Sequence, residues 1–376
     1  MIRKRILLAS LLKPVSDPRL YEKIGKSLAK RPELEVHVAG FAVAVPPQEK
    51  IPNITLHPIF HFKRLSLGRL SAQRRFWQLL IRLKPAVVVV ATHELLLLSN
   101  IYCRRFSAKL VYDVQENYFL NLSTQGVYRN GVSTLLARAV RGIEKAVAPD
   151  ISHFFLAEAS YAQELPFLGD RYSIVQNKYA PPEHQPLIRK ALPVNLRGQA
   201  PLRLLYSGTI SKLYGVLEAI AFINALRQWV PAELTIIGYC ADAAFLQEVK
   251  ARVAPFPFIT LIGGDAVVPH HQILEQEQSH HIGLLPYRPH PSTFRCVPTK
   301  LFEYQANGLI VVAQENEIWG SILHNNSTGF FHDFSAPPTQ AVVRQLLEQM
   351  FYPNGIPEDV FWNQEEALVQ AVISDL

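Results

Sequence analysis

The sequence predicts an α/β protein built from two doubly wound domains that face a cleft. Three observations carry this. Strand and helix patterns alternate through two separate series. The strands are short apolar runs of the kind buried on both faces of a parallel sheet covered by helices. Between the series lies a proline-rich stretch without helical or strand period. The chain has 376 residues, enough for two cores. Its hydrophobic share of 49% against 18% charged marks a folded protein and excludes a disordered one.

In the first series, strands are expected at Arg5–Leu11, Glu35–Phe41, Ala86–Ala91, Lys109–Asp113 and Ile151–Leu156. Amphipathic stretches such as "LYEKIGKSLAKR" and "VSTLLARAVRGIEKAV" separate them. The opening "MIRKRILLASLLKP" imitates a signal peptide, but its apolar run is short, Lys13 interrupts it and no small-residue cleavage site follows. It reads as a first buried strand. "AVVVVATHELLLLSNIY" carries His93 and Glu94 in its middle, too polar for a membrane span of about 18 apolar residues. It reads as a strand, a turn at Thr92–His93 and a helix. Residues 179–201 hold five prolines and read as the linker.

The second series runs "LRLLYSG", "ELTIIG", "FITLIGG", "HIGLLPY" and "LIVVA", with helices between, and "PEDVFWNQEEALVQAVISDL" supplies a terminal helix. The expected domains are 1–180, a linker at 181–201, 202–352, and a terminal helix within 353–376 that packs back on the first domain. In such sheets ligands bind beyond the carboxyl ends of the strands, so chemistry is sought just after them.

The net charge of +7 is unevenly spread. Residues 1–190 hold 28 Lys/Arg and 14 Asp/Glu, and the remainder 10 and 17, so the halves are expected to meet different partners. Residues 60–85 carry basic side chains and no acid, with Phe76, Leu79, Leu80 and Leu83 in an apolar stripe. That pattern suits an anionic membrane surface or an ordinary covering helix. No nucleic-acid-binding motif accompanies the charge. The three scattered cysteines, Cys103, Cys240 and Cys296, argue against a disulfide framework and for a reducing, cytoplasmic setting. His270–His271 and His280–His281 flank a helix without a carboxylate or thiol pattern, so no metal is expected.

Two stretches carry chemistry. In "LLYSGTISKLYGVLEAI" a strand ends at Ser207–Gly208, and a polar loop with Thr209 and Lys212 leads to Gly215 and a helix. Glycine after a strand lets backbone approach a ligand, and a helix N-terminus favours an anion; a plain packing turn has the same pattern. G-x-G-x-x-G and a P-loop are both absent. In "PTKLFEYQANGLIVVA" a proline opens a helix and a glycine closes it before a core strand. Lys300 and Glu303 share one face of that helix. Together they can meet a phosphate and a vicinal diol; the plain alternative is a surface ion pair. His93, after its strand, is a cleft-facing candidate or a packing histidine.

Together these two stretches resemble the retaining glycosyltransferases of the GT-B fold, in the large family often labelled group 1 or family 4. Gly208 and Gly215 stand seven apart, as in that family, and "PTKLFEYQANGLIVVA" is similar to its P-x-K-x-x-E-Y motif. "SDPRLYEKIGKSLAK", with Arg19, looks like its first loop and helix, and "KLVYDVQEN", with Gln115 and Glu116, like its Tyr-Asp-x-His-Glu stretch. The resemblance spans essentially the whole chain. It implies two Rossmann-like domains and transfer of a sugar from a nucleotide-sugar to a glycan or lipid-linked acceptor, with retention of anomeric configuration. It implies that Glu303 binds the donor ribose and that Lys300 holds the diphosphate, with Gly208, Thr209 and Thr299 on the donor side; Lys212 and Arg295 are nearby cations that can replace those the family has at Thr209 and Tyr214. Arg19, His93, Gln115 and Glu116 fall on the acceptor side. No Asp-x-Asp occurs, so neither metal nor other cofactor is expected. Four positions depart from the family: Thr209, Tyr214, Arg295 and Gln115 stand where it has arginine, lysine, glutamate and histidine. They leave open an alternative, a non-catalytic glycosyltransferase-like binding or partner protein. A sugar-nucleotide 2-epimerase shares the fold.

Overall fold

A computed structural model describes residues 3–43, 51–62, 66, 68–124, 130–182, 192–291 and 293–376. Residues 183–191 of the expected linker, and 63–65 and 67 of the basic stretch, lie outside these. The chain separates into two compact units, Met1–Ala180 with Trp362–Leu376, and Pro181–Phe361.

The first unit is a seven-stranded parallel sheet in the order β3-β2-β1-β4-β5-β6-β7. Its strands are β1 (Lys4–Pro14), β2 (Leu34–Phe41), β3 (Ile54–Phe60), β4 (Val87–Val90), β5 (Lys109–Val114), β6 (His153–Leu156) and β7 (Tyr172–Ile174). Ile6 lies opposite Val36 on one side and Val87 on the other. The four valines of β4 are fully buried, as a central parallel strand requires. The sequence reading passed over β3 and β7. β3 contains Pro58, which removes a ladder donor and suits an edge strand, and β3 is that edge; β7 has three residues.

A helical segment Pro18–Gly25 runs into α1 (Lys26–Ala29); then come α2 (Gly68–Leu83), α3 (Leu96–Phe106), α4 (Tyr118–Thr124), α5 (Asn130–Val147) and α6 (Tyr161–Glu164). The step from β1 to β2 runs one way along the sheet, and the steps from β3 to β4 and on to β6 run the other. Right-handed crossovers therefore put α1 on one face and α2, α3 and α5 on the opposite face. A ring contact between Trp77 of α2 and Tyr102 of α3 joins the latter layer. The terminal helix, Asn363–Asp375, lies with α1: Trp362 Nε1 donates to Ser27 Oγ (2.8 Å), and Lys178 pairs with Glu365 (2.9 Å). Phe76, Leu79 and Leu80 of α2, one candidate face for a membrane, are buried in the core. That stripe is what a covering helix presents to its sheet.

The second unit has a six-stranded parallel sheet, order β10-β9-β8-β11-β12-β13. Its strands are β8 (Leu202–Thr209), β9 (Ala232–Tyr239), β10 (Ile259–Gly264), β11 (Ile282–Leu285), β12 (Ile310–Ala313) and β13 (Gly329–Phe331). Its helices are α7 (Val216–Leu226), α8 (Ala243–Val253), α9 (His270–Ser279), α10 (Thr299–Ala306), α11 (Glu317–Asn325) and α12 (Gln340–Glu348). Strand order reverses at β1/β4 in the first sheet and at β8/β11 in the second. The crevice outside the strand ends at such a reversal is where doubly wound sheets hold ligands. Among the described residues no helix is long and apolar enough to cross a membrane.

Candidate functional site

At the β8/β11 reversal the second unit gathers charge into its interior. α10 starts after Pro298 in extended conformation, with Thr299 its first residue. Residues Leu301 through Ala306 are all buried, so a charge on this helix has little water to rely on. Glu303 is 6% exposed, and the Lys300 side chain 13%. Lys300 Nζ donates to Glu303 Oε2 and to Glu277 Oε1 (3.2 Å). The His270 ring nitrogen Nε2 lies 3.3 Å from Glu303 Oε1. Asn307 Nδ2 donates to Glu277 Oε2 (2.9 Å), and Ser207 Oγ donates to Glu277 Oε1 (3.5 Å). Tyr304 Oη lies 3.0 Å from Ser207 Oγ and accepts from the Ser207 N–H at 3.0 Å. Lys300 and Glu303 are thus part of a buried network, not a surface ion pair.

The electrostatics follow from one lysine between two carboxylates. Burial by itself would neutralise Lys300, but the Glu303 and Glu277 carboxylates outweigh it and push its pKa up. Burial likewise opposes ionisation of Glu303, and Lys300, then His270, hold its carboxyl well below the usual range. Glu277 receives the remainder. Its complete burial outweighs Lys300, and Glu303 repels it, so it is pushed up to about 7.

The two glycines of the β8–α7 turn do different things. Gly215 (φ 73°) precedes α7, and a Cβ there would lie 1.8 Å from the Pro286 carbonyl oxygen. It is a packing glycine that lets the turn press on the segment after β11. Gly208 (φ 109°) ends β8 beside the cation: a Cβ there would meet Lys300 Cε at 3.6 Å. Thr209 is exposed next to it. Lys212 turns to α8, 3.5 Å from Glu248 and 5.2 Å over the Phe245 ring. Arg295 is exposed in the turn before α10. The fold therefore brings Gly208, Lys300 and Glu303 together, with Thr299 on the same helix.

Glu277, Asn307 and Ser207 were not among the sequence candidates, and His270 was weighed there only as a metal ligand. One signal was there to be read: Glu277 follows Ile273 and Leu274 by four and three residues, so it is an acid on the buried stripe of α9.

At the carboxyl edge of the first sheet, Arg19 is 4% exposed and grips Asp113 with two nitrogens, Nε to Oδ2 at 2.9 Å and Nη2 to Oδ1 at 2.6 Å. Its Nη1 donates to the Val175 carbonyl (2.7 Å) and to Asn177 Oδ1 (2.9 Å). Gln115 Nε2 donates to Asp113 Oδ2 (2.8 Å). Glu116 accepts from Asn121 Nδ2 (3.1 Å). His93 stacks edge-on against Tyr118, and its Nδ1 lies 3.6 Å from Glu94. Burial pushes His93 below its usual pKa, with Glu94 opposing.

No family model and no curated protein matches this sequence. Solved structures match it over the whole chain. HepE from Anabaena in complex with UDP-glucose superposes with a TM-score of 0.62 at 12% identity, covering 99% of this chain and 100% of that one. Sucrose-phosphate synthase from Thermosynechococcus elongatus gives 0.61 at 14% identity, covering 98% and 95%. UDP-GlcNAc 2-epimerase from Methanocaldococcus jannaschii gives 0.54 at 9%, covering 99% of each chain. The protein has the fold of the GT-B glycosyltransferases.

Proposed function

We propose that the protein is a glycosyltransferase that moves a sugar from a nucleotide-sugar donor to a glycan or lipid-linked acceptor with retention at the anomeric carbon, in synthesis of a bacterial surface polysaccharide. The observation that carries this reading is the buried Lys300–Glu303 pair beside the bare backbone of Gly208, at the strand reversal of the second sheet. Each Glu303 oxygen keeps a second lone pair after its present bond, so a ribose diol can donate to both. Lys300, the N-terminus of α10 at Thr299, and the β8–α7 turn with Gly208 and Thr209 then face the diphosphate, and Lys212 joins them by leaving Glu248. Arg295 adds a guanidinium suited to bidentate contact with an oxyanion. The charge that develops on the leaving diphosphate is met by these groups, with no metal assigned. The leaving phosphate itself takes the acceptor proton, so no side-chain base is required. His93 and Glu116, at the carboxyl edge of the first sheet, form the acceptor side, and Arg19 and Gln115 hold Asp113 at the same edge. The complex of HepE with UDP-glucose supports the donor class. We place the protein in the cytoplasm, peripheral on the inner face of the membrane.

Calorimetric titration with UDP and a panel of nucleotide-sugars, followed by a transfer and hydrolysis assay, tests this. Binding of a nucleoside diphosphate with transfer to a glycan is expected. Binding without turnover would leave a sugar-nucleotide-binding protein, and conversion of the donor to an epimer would move the reading to the epimerase chemistry of the same fold. No binding of any nucleotide would overturn it.

A further inference from the structure

On one face of the first unit, exposed apolar side chains stand among cations. α2, α3 and α5 share one face of the sheet, and none of the three bears an exposed acid: α2 and α3 have none, and the single acid of α5, Glu144, is buried. On α2, Leu70 (70% exposed) and Ile81 stand near exposed Arg74 and Arg82. On α3, Leu97 and Ile101 (54% exposed) lie one turn apart, followed by exposed Arg104 and Arg105. On α5, Leu135 (69% exposed) and Leu136 stand beside exposed Arg138, with Lys145 two turns on. The buried stripe of α5, Ser133, Ala137, Val140 and Glu144, lies opposite Leu135, with Leu136 at its flank. At the rim, Asp150 takes up Asn100 (2.9 Å) and, at 3.5 Å, Arg104. The other face mixes signs: on the terminal helix Glu366 pairs with Lys30 and Glu365 with Lys178.

Large aliphatic side chains in water are costly, and a soluble surface rarely repeats them on three neighbouring helices. Arginines and lysines around them select the guest. A phosphate backbone uses the cations but gains nothing from leucine and isoleucine. An anionic bilayer uses both, headgroups meeting the cations and the acyl boundary taking the aliphatic groups. We propose that the outer surface of α2, α3 and α5 docks on an anionic lipid bilayer. This inference rests on the peripheral placement proposed above and gives it a surface. That surface is the helical layer, and the buried stripe of α2 forms its underside.

Sedimentation with vesicles of phosphatidylglycerol and phosphatidylcholine, against phosphatidylcholine alone, tests it. Binding to the anionic vesicles should fall as salt rises, with neutral vesicles left in the supernatant. Leu97→Glu with Leu135→Glu, both on exposed positions, should lower the bound fraction at least tenfold without changing the far-ultraviolet dichroism. A measurement free of substitutions accompanies it: hydrogen exchange of the unmodified protein with anionic vesicles should slow in residues 96–106 and 130–147 and stay unchanged in 363–375. Equal binding to neutral vesicles, unchanged binding by the double variant, or protection of the terminal helix instead would overturn the inference. So would a dimer in solution that the double variant dissolves, or binding of single-stranded RNA with none of vesicles. UDP titration of the same double variant separates the two readings. Lost vesicle binding with intact UDP binding bears on this surface alone, and intact vesicle binding by a protein that binds no nucleotide leaves it standing.

Discussion

Each unit buries a cation against carboxylate beyond the carboxyl ends of its strands, and the two clusters are built differently. In the first unit, Arg19 faces one acid, Asp113, and its remaining contacts are a carbonyl and an amide oxygen. Charge balances and every guanidinium nitrogen has a partner. In the second unit, Lys300 faces two acids, Glu277 and Glu303, with His270 beside them. One lysine cannot balance two carboxylates, so one of them sits near neutrality in pKa. A balanced cluster fixes a structure. An unbalanced one, beside bare backbone and a helix N-terminus, has protons and hydrogen bonds to rearrange when a ligand arrives.

The comparison is broken most directly by removing the first cation. Arg19→Met leaves Asp113 buried without a counter-charge and should cost about 3–5 kcal/mol in chemical denaturation. A loss under about 1 kcal/mol would mean the cluster is not structural. Lys300→Met should act the other way round. Nucleoside diphosphate affinity is expected to fall about 100-fold, near 3 kcal/mol by calorimetry, with a smaller loss of stability than at Arg19, because Glu277 can take up a proton. Equal destabilisation by both changes would erase the contrast.

Glu277→Gln sharpens it through pH. The folded state holds the Glu277 proton up to about 7, whereas the ordinary value is 4.5. Between these values the folded state binds more protons than the unfolded one, so this group's contribution to stability is complete below the lower value and is lost as pH rises through the upper. The variant lacks that loss. From pH 5 to 8 its stability should therefore gain on the unmodified protein by about 2 kcal/mol, read from paired denaturation curves. A difference independent of pH would remove Glu277 from the charge balance. The smallest effect is expected at Glu303→Gln, which keeps the shape and weakens a charged acceptor: donor affinity should drop about tenfold, or about 1.4 kcal/mol. Unchanged donor binding would take the ribose away from Glu303.

Much of this was legible along the chain. Alternation of apolar runs and amphipathic stretches named the doubly wound sheets, because a parallel strand must be apolar on both faces and its crossover helix on one. Pro298 and Gly308 bracketed α10, and the three-residue spacing of Lys300 and Glu303 put them on one face. β3 escaped because Pro58 breaks a strand pattern everywhere but at an edge, and an edge is a property of the finished sheet.

The sequence by itself therefore determined what depends on neighbours a few residues apart: periods, turns, caps, and the pairing of Lys300 with Glu303. Tertiary structure alone decided which groups meet across long separations. Asp113 reaches Arg19 from 94 residues away, and Glu277 reaches Lys300 from 23. It also decided burial, which turned the Lys300–Glu303 pair from a weak surface contact into the centre of a desolvated network, and put the stripe of α2 inward. Backbone geometry propagates only over a turn or two, whereas dielectric environment and charge partners are set by whatever the fold packs alongside.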